Sequence, residues 1–215
     1  FTGSAVIGQA QIQLIALLIP GLLGASAFAG LRLAQLVILQ PVQNLVLASM
    51  GMLVPRTAAL AEAGDLAGLR AQTRRVLAIS LALAAVLLLV VMFAAGPLLD
   101  WYRDGAYAEV AALALPVGIQ AGVYLLQIPF TATLRGLRQG RRVFVQYSLF
   151  TVASLLGAGL GAVGYGLPGA AWGLTFGSAV GLAAMAYLCV DTLRKPAGQP
   201  RPVPAAARAR LSIDG

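Results

Sequence analysis

The chain has 215 residues, of which 60% are hydrophobic and 10% are charged, and its mean hydropathy is +0.86. Soluble domains carry about 25% charged residues, so this composition excludes an ordinary water-facing surface and predicts an integral membrane protein. Histidine is absent and Cys189 is the single cysteine, which argues against an internal disulfide and against a Cys/His metal site. The net charge of +8 does not indicate nucleic-acid binding, because most basic residues lie in short loops between apolar runs.

Six apolar stretches are long enough to cross a bilayer, whose core of about 30 Å requires roughly 20 helical residues. Lipid offers no hydrogen-bond partner to the backbone, so all six are predicted to be helices. In chain order they cover residues 4–23, 28–54, 76–99, 107–134, 143–164 and 169–190. The sequence therefore predicts an all-α bundle of six transmembrane helices over residues 1–190. The tail at 191–215, rich in Pro, Ala and Arg, is predicted to be disordered.

Thirteen of the fifteen basic residues fall on one side of this six-span arrangement, and only Arg32 and Arg103 fall on the other. Cytoplasmic loops carry the excess of Lys and Arg, so both termini and the two basic loops are predicted to be cytoplasmic. The first loop holds Arg56, Arg70, Arg74 and Arg75, and the second holds Arg135, Arg138, Arg141 and Arg142. In the first of these loops, Asp65 is a candidate N-cap for a helix that starts at Leu66 and continues into the third span. The chain begins at Phe1 and enters an apolar stretch almost at once, which leads us to expect that an N-terminal portion is missing.

The second span is the most polar of the six. Arg32, Gln35, Gln43 and Asn44 are candidate substrate-binding residues that line a cavity, because polar side chains avoid lipid. Gln40 lies near the same face, and Pro41 permits a kink beside them. Two explanations remain open: a substrate pathway, or a structural arrangement in which Arg32 reaches the headgroups and the amides bond across helices.

Small residues recur every fourth position in the last two spans. Gly169, Gly173, Gly177 and Gly181 line one face of the sixth span, and Ala153, Gly157 and Gly161 follow the same spacing in the fifth. Small residues allow helix backbones to approach closely in lipid. The favoured interpretation is tight packing of the fifth span on the sixth; a dimer or sliding interface is the alternative.

Groups for catalysis are scarce. The chain has no histidine, no carboxylate near the middle of a predicted span and no Walker A loop. Acid–base and metal-assisted reactions need such groups. The sequence therefore predicts neither an enzyme nor a cofactor or metal site.

The run GLRLAQLVILQPVQNLVLASMGMLVPRTAALAEAGDLAGLRAQTRR (30–75) resembles the corresponding stretch of Wzx-type lipid-linked oligosaccharide flippases. These belong to the multidrug/oligosaccharidyl-lipid/polysaccharide superfamily, together with lipid II flippases and MATE drug exporters. TLRGLRQGRRVFVQYSLF (133–150) and GYGLPGAAWGLTFGS (164–178) look like a basic loop and a glycine-rich hairpin of the same family. The resemblance covers roughly residues 4 to 190.

This resemblance implies the C-terminal six-helix lobe of a two-lobed, MATE-like transporter in the bacterial cytoplasmic membrane. The missing first lobe of the same polypeptide, the bilayer and a lipid-linked saccharide would be its partners, and no cofactor is implied. Arg32 would meet a phosphate, while Gln35, Gln43 and Asn44 would bond sugar hydroxyls. The alternatives are a MATE-like exporter of small molecules, a membrane-embedded enzyme of lipid or glycan metabolism, and the membrane domain of an ABC transporter.

Overall fold

The computed structural model describes residues 2–101 and 108–194, with side chains for 13–93 and 112–194, and the described part is all-α, as predicted. In chain order its elements are α1 (Thr2–Leu23), α2 (Ala25–Ala34), a π-helical turn (Gln35–Leu39), α3 (Gln40–Glu62), α4 (Leu66–Trp101), α5 (Ala108–Gly136) and α6 (Gly140–Arg194). Arg103 and the tail from residue 195 onward lie outside the described residues. The last helix continues past the predicted end at residue 190.

Four helical stretches among the described residues are long and apolar enough to cross a membrane. They are Ala25–Glu62, Leu66–Phe93, Ala112–Gly136 and Gly140–Arg194, while α1 contributes the shorter apolar stretch Gln13–Leu23. The structure thus supports a protein associated with a membrane through apolar helices. The predicted number of six spans stays a prediction, because side chains of α1 are described only for residues 13–23 and the last two predicted spans lie within α6.

The second predicted span is one continuous helical stretch that contains a π turn. The N–H of Gln40 donates to the carbonyl oxygen of Gln35, which is the i to i+5 pattern of a π-helix. A proline ring clashes with the carbonyl of the residue four positions earlier in a regular α-helix, which here is Val37. The wider turn before Pro41 relieves this contact, so α2 and α3 form one long wall.

The start of α4 has the predicted cap. Gly64 takes a left-handed conformation, with φ of 69°, and ends the preceding turn. One carboxylate oxygen of Asp65 then accepts a hydrogen bond of 2.8 Å from the N–H of Gly68, three residues on. This is the N-cap geometry, and it confirms that the helix begins at Leu66 and runs without a break into the apolar stretch.

The 55-residue helix α6 folds back on itself at Gly166, whose φ of 64° and ψ of −145° are not helical. Residues before and after this point pair in antiparallel order, because Gly157 meets Gly173 and Gly161 meets Gly169. We call residues 140–165 the first arm of α6 and residues 167–194 the second arm. The two arms correspond to the fifth and sixth predicted spans.

The glycine repeat lies at the contact between the two arms. A Cβ added at Gly157 would lie 2.6 Å from the carbonyl oxygen of Gly173, so the backbones themselves touch there. Farther along the second arm, Gly177 packs against Ser154, and Gly181 packs against Phe150. All four predicted packing glycines therefore face the first arm, which agrees with the interpretation of the repeat as an internal packing surface.

Three basic segments meet at one end of the bundle. Arg70 on α4 donates to the carbonyl oxygen of Leu193 at 2.8 Å, and Arg138 lies 3.4 Å from Glu62. Arg142 joins the two arms of α6 through an ion pair of 2.8 Å with Asp191. We call this the basic end. The continuous stretch Ala25–Glu62 reaches the basic end at Glu62, so its start beside Gly24 lies toward the opposite end. The reversal of α6 at Gly166 lies toward that opposite end as well, because both arms reach the basic end at Arg142 and Asp191. In α1, Leu18 lies beside Gly159 of the first arm.

We expect Gly173→Leu to destabilise the protein, because its side chain would displace the backbone of Gly157. Overpacking of this kind costs about 1–3 kcal/mol, and the loss should appear as a lower thermal unfolding midpoint in detergent. The matched control is Gly164→Leu in the first arm, where a Cβ meets no atom of the described residues within 4 Å. Equal losses of stability from the two substitutions would contradict a specific packing role for Gly173.

Candidate binding groove

A cavity of about 490 Å³ runs between α2–α3 on one side and α5 with the first arm of α6 on the other. We call it the groove. Its polar lining residues are Arg32, Gln35, Gln40, Gln43, Gln120, Tyr124, Gln127, Thr131, Arg135, Gln146 and Tyr147. Apolar side chains lie between these polar groups on the same walls, among them Phe28, Leu36 and Met50. The groove is therefore amphipathic.

The α2–α3 wall extends along the groove from Phe28 to Met50. Its lining residues recur every three or four positions, so they form a single helix face. The 22 residues of separation correspond to roughly 33 Å at 1.5 Å per residue, which is comparable with a hydrocarbon core of about 30 Å. The α2–α3 wall of the groove is therefore about as long as a hydrocarbon core is thick.

The α5 wall presents a polar stripe of five side chains. Gln120, Tyr124, Gln127, Thr131 and Arg135 are spaced by four, three, four and four residues, and all five line the groove. This spacing puts them on one face of the helix. Pro116, one turn before the stripe, contributes its carbonyl oxygen to a hydrogen bond of 2.8 Å from Thr175, which fixes α5 against the second arm of α6.

Three of the four predicted binding residues line the groove, namely Arg32, Gln35 and Gln43. Asn44 does not: it is exposed, and its side-chain oxygen accepts a hydrogen bond of 3.4 Å from Gln40. The reason is angular, because neighbouring residues on an α-helix are separated by about 100°. Asn44 lies about 100° around the helix from Gln43 and falls beyond the edge of the lining face. Whether the three lining residues bind a substrate stays a prediction.

The amides on the α5 and α6 walls are held loosely. Gln127 donates to the carbonyl oxygen of Ser178 at 3.4 Å, and Gln146 donates to that of Gly181 at 3.4 Å. Strong N–H···O bonds are nearer 2.9–3.0 Å. In addition, Oε1 of Gln146 and Nε of Arg135 are buried and have no hydrogen-bond partner among the described residues. Buried polar groups are usually paired, so these two atoms retain unused hydrogen-bonding capacity beneath the surface of the groove.

The groove carries positive charge. Its lining residues, all from the described part of the chain, include Arg32 and Arg135 and no carboxylate. Within the same described part, no group of three His, Cys, Asp or Glu residues is placed to hold a metal ion. The arrangement suits an anionic ligand with many hydroxyl groups, because guanidinium forms charge-assisted bonds to phosphate and amides bond to hydroxyls.

The sequence interpretation missed most of the α5 wall and misplaced Arg135. It counted Arg135 with the basic loop, whereas this residue lies in the last turn of α5 and lines the groove. The signal was present, because Gln120, Gln127 and Arg135 share a helical face with Tyr124 and Thr131 between them. Gln146 carries no comparable signal, since an isolated amide near the start of an apolar helix does not reveal which neighbour it meets.

Comparison with protein-family models, with curated proteins and with solved structures gives no match to this chain.

We expect the groove to be accessible to water in a lipid bilayer. In a Cys189→Ala background, Gln43→Cys should react with a hydrophilic methanethiosulfonate reagent. Val37→Cys should react much more slowly, because Val37 is 65% exposed but lies outside the groove lining, on a face that lipid would cover. Equal reaction rates at positions 37 and 43 would show that the groove is not a water-filled feature.

Proposed function

We propose that this chain is one lobe of a membrane transporter that moves the headgroup of a lipid-linked saccharide across a bilayer. The observation that carries the proposal is the groove, which combines positive charge, several amides and a length close to that of the hydrocarbon core. Polar and ionisable residues at membrane depth mark substrate pathways by default. The earlier resemblance to Wzx-type flippases points to the same cargo.

The chemistry of the lining favours an anionic amphiphile as the substrate. Arg32 supplies a fork-shaped donor suited to a phosphate, and Gln35 and Gln43 offer donors and acceptors to sugar hydroxyls. Apolar residues such as Leu39 and Leu47 line the same walls. In this proposal the polar headgroup travels in the groove, and the hydrocarbon tail remains in the bilayer.

Exposure of the α2–α3 wall supports a two-lobed arrangement. Arg32 and Gln40 are exposed although they line the groove. Facing lipid would be costly for both side chains, so a second wall or water has to cover them. We propose that a second six-helix lobe supplies this wall, and that the two lobes rock about the groove to give alternating access.

The proposed lobe has six membrane spans. The two arms of α6 count as two spans because the chain reverses at Gly166. The stretch α1 supplies another, since it packs against the first arm and ends at Leu23, directly before the start of α2. The stretch formed by α2 and α3, together with α4 and α5, completes the six.

We place the basic end at the cytoplasmic face of a bacterial inner membrane. Arg70, Arg138 and Arg142 lie at that end of the bundle, and cytoplasmic loops are rich in Lys and Arg. The opposite end, with Gly24 and Gly166, then faces outward.

A MATE-like exporter of small molecules is the second candidate. The cavity of about 490 Å³ lies within the 300–1,000 Å³ range of small-molecule sites. The described lining residues lack the carboxylates that would attract a cationic drug, which favours the anionic cargo.

Orientation is tested with single cysteines and a membrane-impermeant maleimide, again with Cys189 replaced by Ala. Ala63→Cys and Gly140→Cys at the basic end should be labelled only from the cytoplasmic side. Ser26→Cys, near Gly24, should be labelled only from outside. Labelling of position 26 from the same side as position 140 would refute the proposed orientation.

The cargo is tested by binding to the purified chain in nanodiscs. We expect saturable binding of polyprenyl-diphosphate N-acetylglucosamine and none of tetraphenylphosphonium, a hydrophobic cation. Arg32→Gln should weaken binding by about tenfold or more, since a bond to a charged group contributes about 1.5–3 kcal/mol. Arg32→Lys should retain part of the affinity, because lysine keeps the positive charge but cannot donate two parallel hydrogen bonds to a phosphate as a guanidinium does.

The matched control is Arg75→Gln, which removes the same charge from an exposed position outside the groove. Its affinity should equal that of the unmodified protein. Binding of tetraphenylphosphonium without the saccharide lipid would favour the small-molecule exporter. Equal effects of the changes at positions 32 and 75 would remove Arg32 from the site.

A further inference from the structure

Two unpaired polar atoms lie in the half of the groove nearest the basic end. They are Nε of Arg135 and Oε1 of Gln146, and both residues line the groove. The side chain of Gln146 is 1% exposed, and its amide nitrogen makes only a long bond of 3.4 Å to Gly181. One unpaired atom is a donor and the other is an acceptor. Buried groups of this kind are rare in native proteins and require an explanation.

This pair lies far from Arg32. Gly136, the neighbour of Arg135, packs against Thr57, since a Cβ added at Gly136 would lie 3.2 Å from the backbone nitrogen of Ala58. Thr57 lies 25 residues after Arg32 on the same continuous helical stretch, which corresponds to roughly 37 Å. One phosphate group cannot contact both arginines across that distance.

We propose that Arg135 and Gln146 form an inner binding subsite for a phosphate that carries neighbouring hydroxyl groups. The inference rests on the proposed function of the groove. The two residues lie close together, because Leu134, next to Arg135, packs in one buried cluster with Val143, one turn before Gln146. When the two side chains turn toward the cavity, a phosphate oxygen accepts the hydrogen bond from Nε of Arg135, and a hydroxyl of the same ligand donates to Oε1 of Gln146. Thr131 and Tyr147, which line the groove as well, add hydroxyls that donate or accept.

With this subsite, the groove has two separate binding sites for an anionic headgroup, one at Arg135 and one at Arg32. The headgroup binds first at Arg135 near the basic end and later at Arg32 near the opposite end. Between them, Gln127 on α5 and Gln43 on α3 offer bonds that do not depend on ligand charge. Two separated sites of this kind allow release from one before capture by the other, which a single tight site would oppose.

The subsite is tested by nuclear magnetic resonance on the ¹⁵N-labelled chain in nanodiscs of phosphatidylcholine. The Nε–H signal of Arg135 is assigned as the one that disappears in Arg135→Lys. Three probes are titrated: N-acetylglucosamine 1-phosphate, inorganic phosphate and polyprenyl-diphosphate N-acetylglucosamine. We expect the sugar phosphate to shift this signal and the side-chain amide signal of Gln146, with at least several-fold higher affinity than inorganic phosphate.

Variants separate the contributions of the two residues. Arg135→Gln should weaken binding of the sugar phosphate by about tenfold or more. Gln146→Leu should abolish the preference for the sugar phosphate over inorganic phosphate. Arg141→Gln removes an exposed charge at the same end and outside the groove lining, and it should change neither affinity.

The outcomes distinguish the subsite from the proposed function. A shifted Arg135 signal with either the soluble or the lipid-linked probe supports the subsite and identifies which source of phosphate it accepts. An unmoved Arg135 signal, with Arg32-dependent binding of the saccharide lipid intact, overturns the subsite and leaves the proposed function standing. Equal affinity for inorganic phosphate overturns the assigned ligand class. Failure of all three probes to bind overturns the subsite and the proposed function together.

Discussion

Polar side chains cannot face lipid without a large free-energy cost, and this constraint explains why the helices are arranged around a groove. Arg32, Gln35 and Gln43 on one helical wall and the stripe from Gln120 to Arg135 on another would each be unfavourable on an isolated helix in hydrocarbon. The two walls face each other across a shared cavity. The outward-facing surfaces, such as that of α4 with Ile79, Val86 and Phe93, are apolar and exposed.

Close packing elsewhere in the bundle holds these walls in position. The backbones of the two arms of α6 touch at Gly157 and Gly173, where no side chain lies between them. This contact holds the first arm, which carries Gln146, against the second arm. On α5, Thr133 bonds to Thr73 of α4 at 3.0 Å, and a glycine next to Arg135 allows α3 to approach at Thr57. In lipid, such small-residue contacts and interhelical hydrogen bonds replace the hydrophobic effect as the source of association.

Composition and periodicity were sufficient to predict the helices, the cap at Asp65 and three groove residues, because those features depend on local sequence. The groove itself depends on which helix faces align, and that information is not local. Asn44 was assigned to the site because it is polar, although its angular position turns it away from Gln43. Arg135 was assigned to a loop because it is charged and close to other arginines. Pro41 was predicted to permit a kink, and the structure has a π turn directly before it, which relieves the same steric contact.

The central claim is that water, and not lipid or close-packed protein, fills the groove when no ligand is bound. Water-edited solid-state magnetic resonance of the ¹⁵N-labelled chain in bilayers tests it directly, since magnetisation transfer reports which side-chain amides contact water. We predict rapid transfer from water to the amides of Gln35, Gln43 and Gln127, at the rate seen for amides at the membrane surface. Transfer to these amides from lipid acyl chains, with none from water, would contradict it.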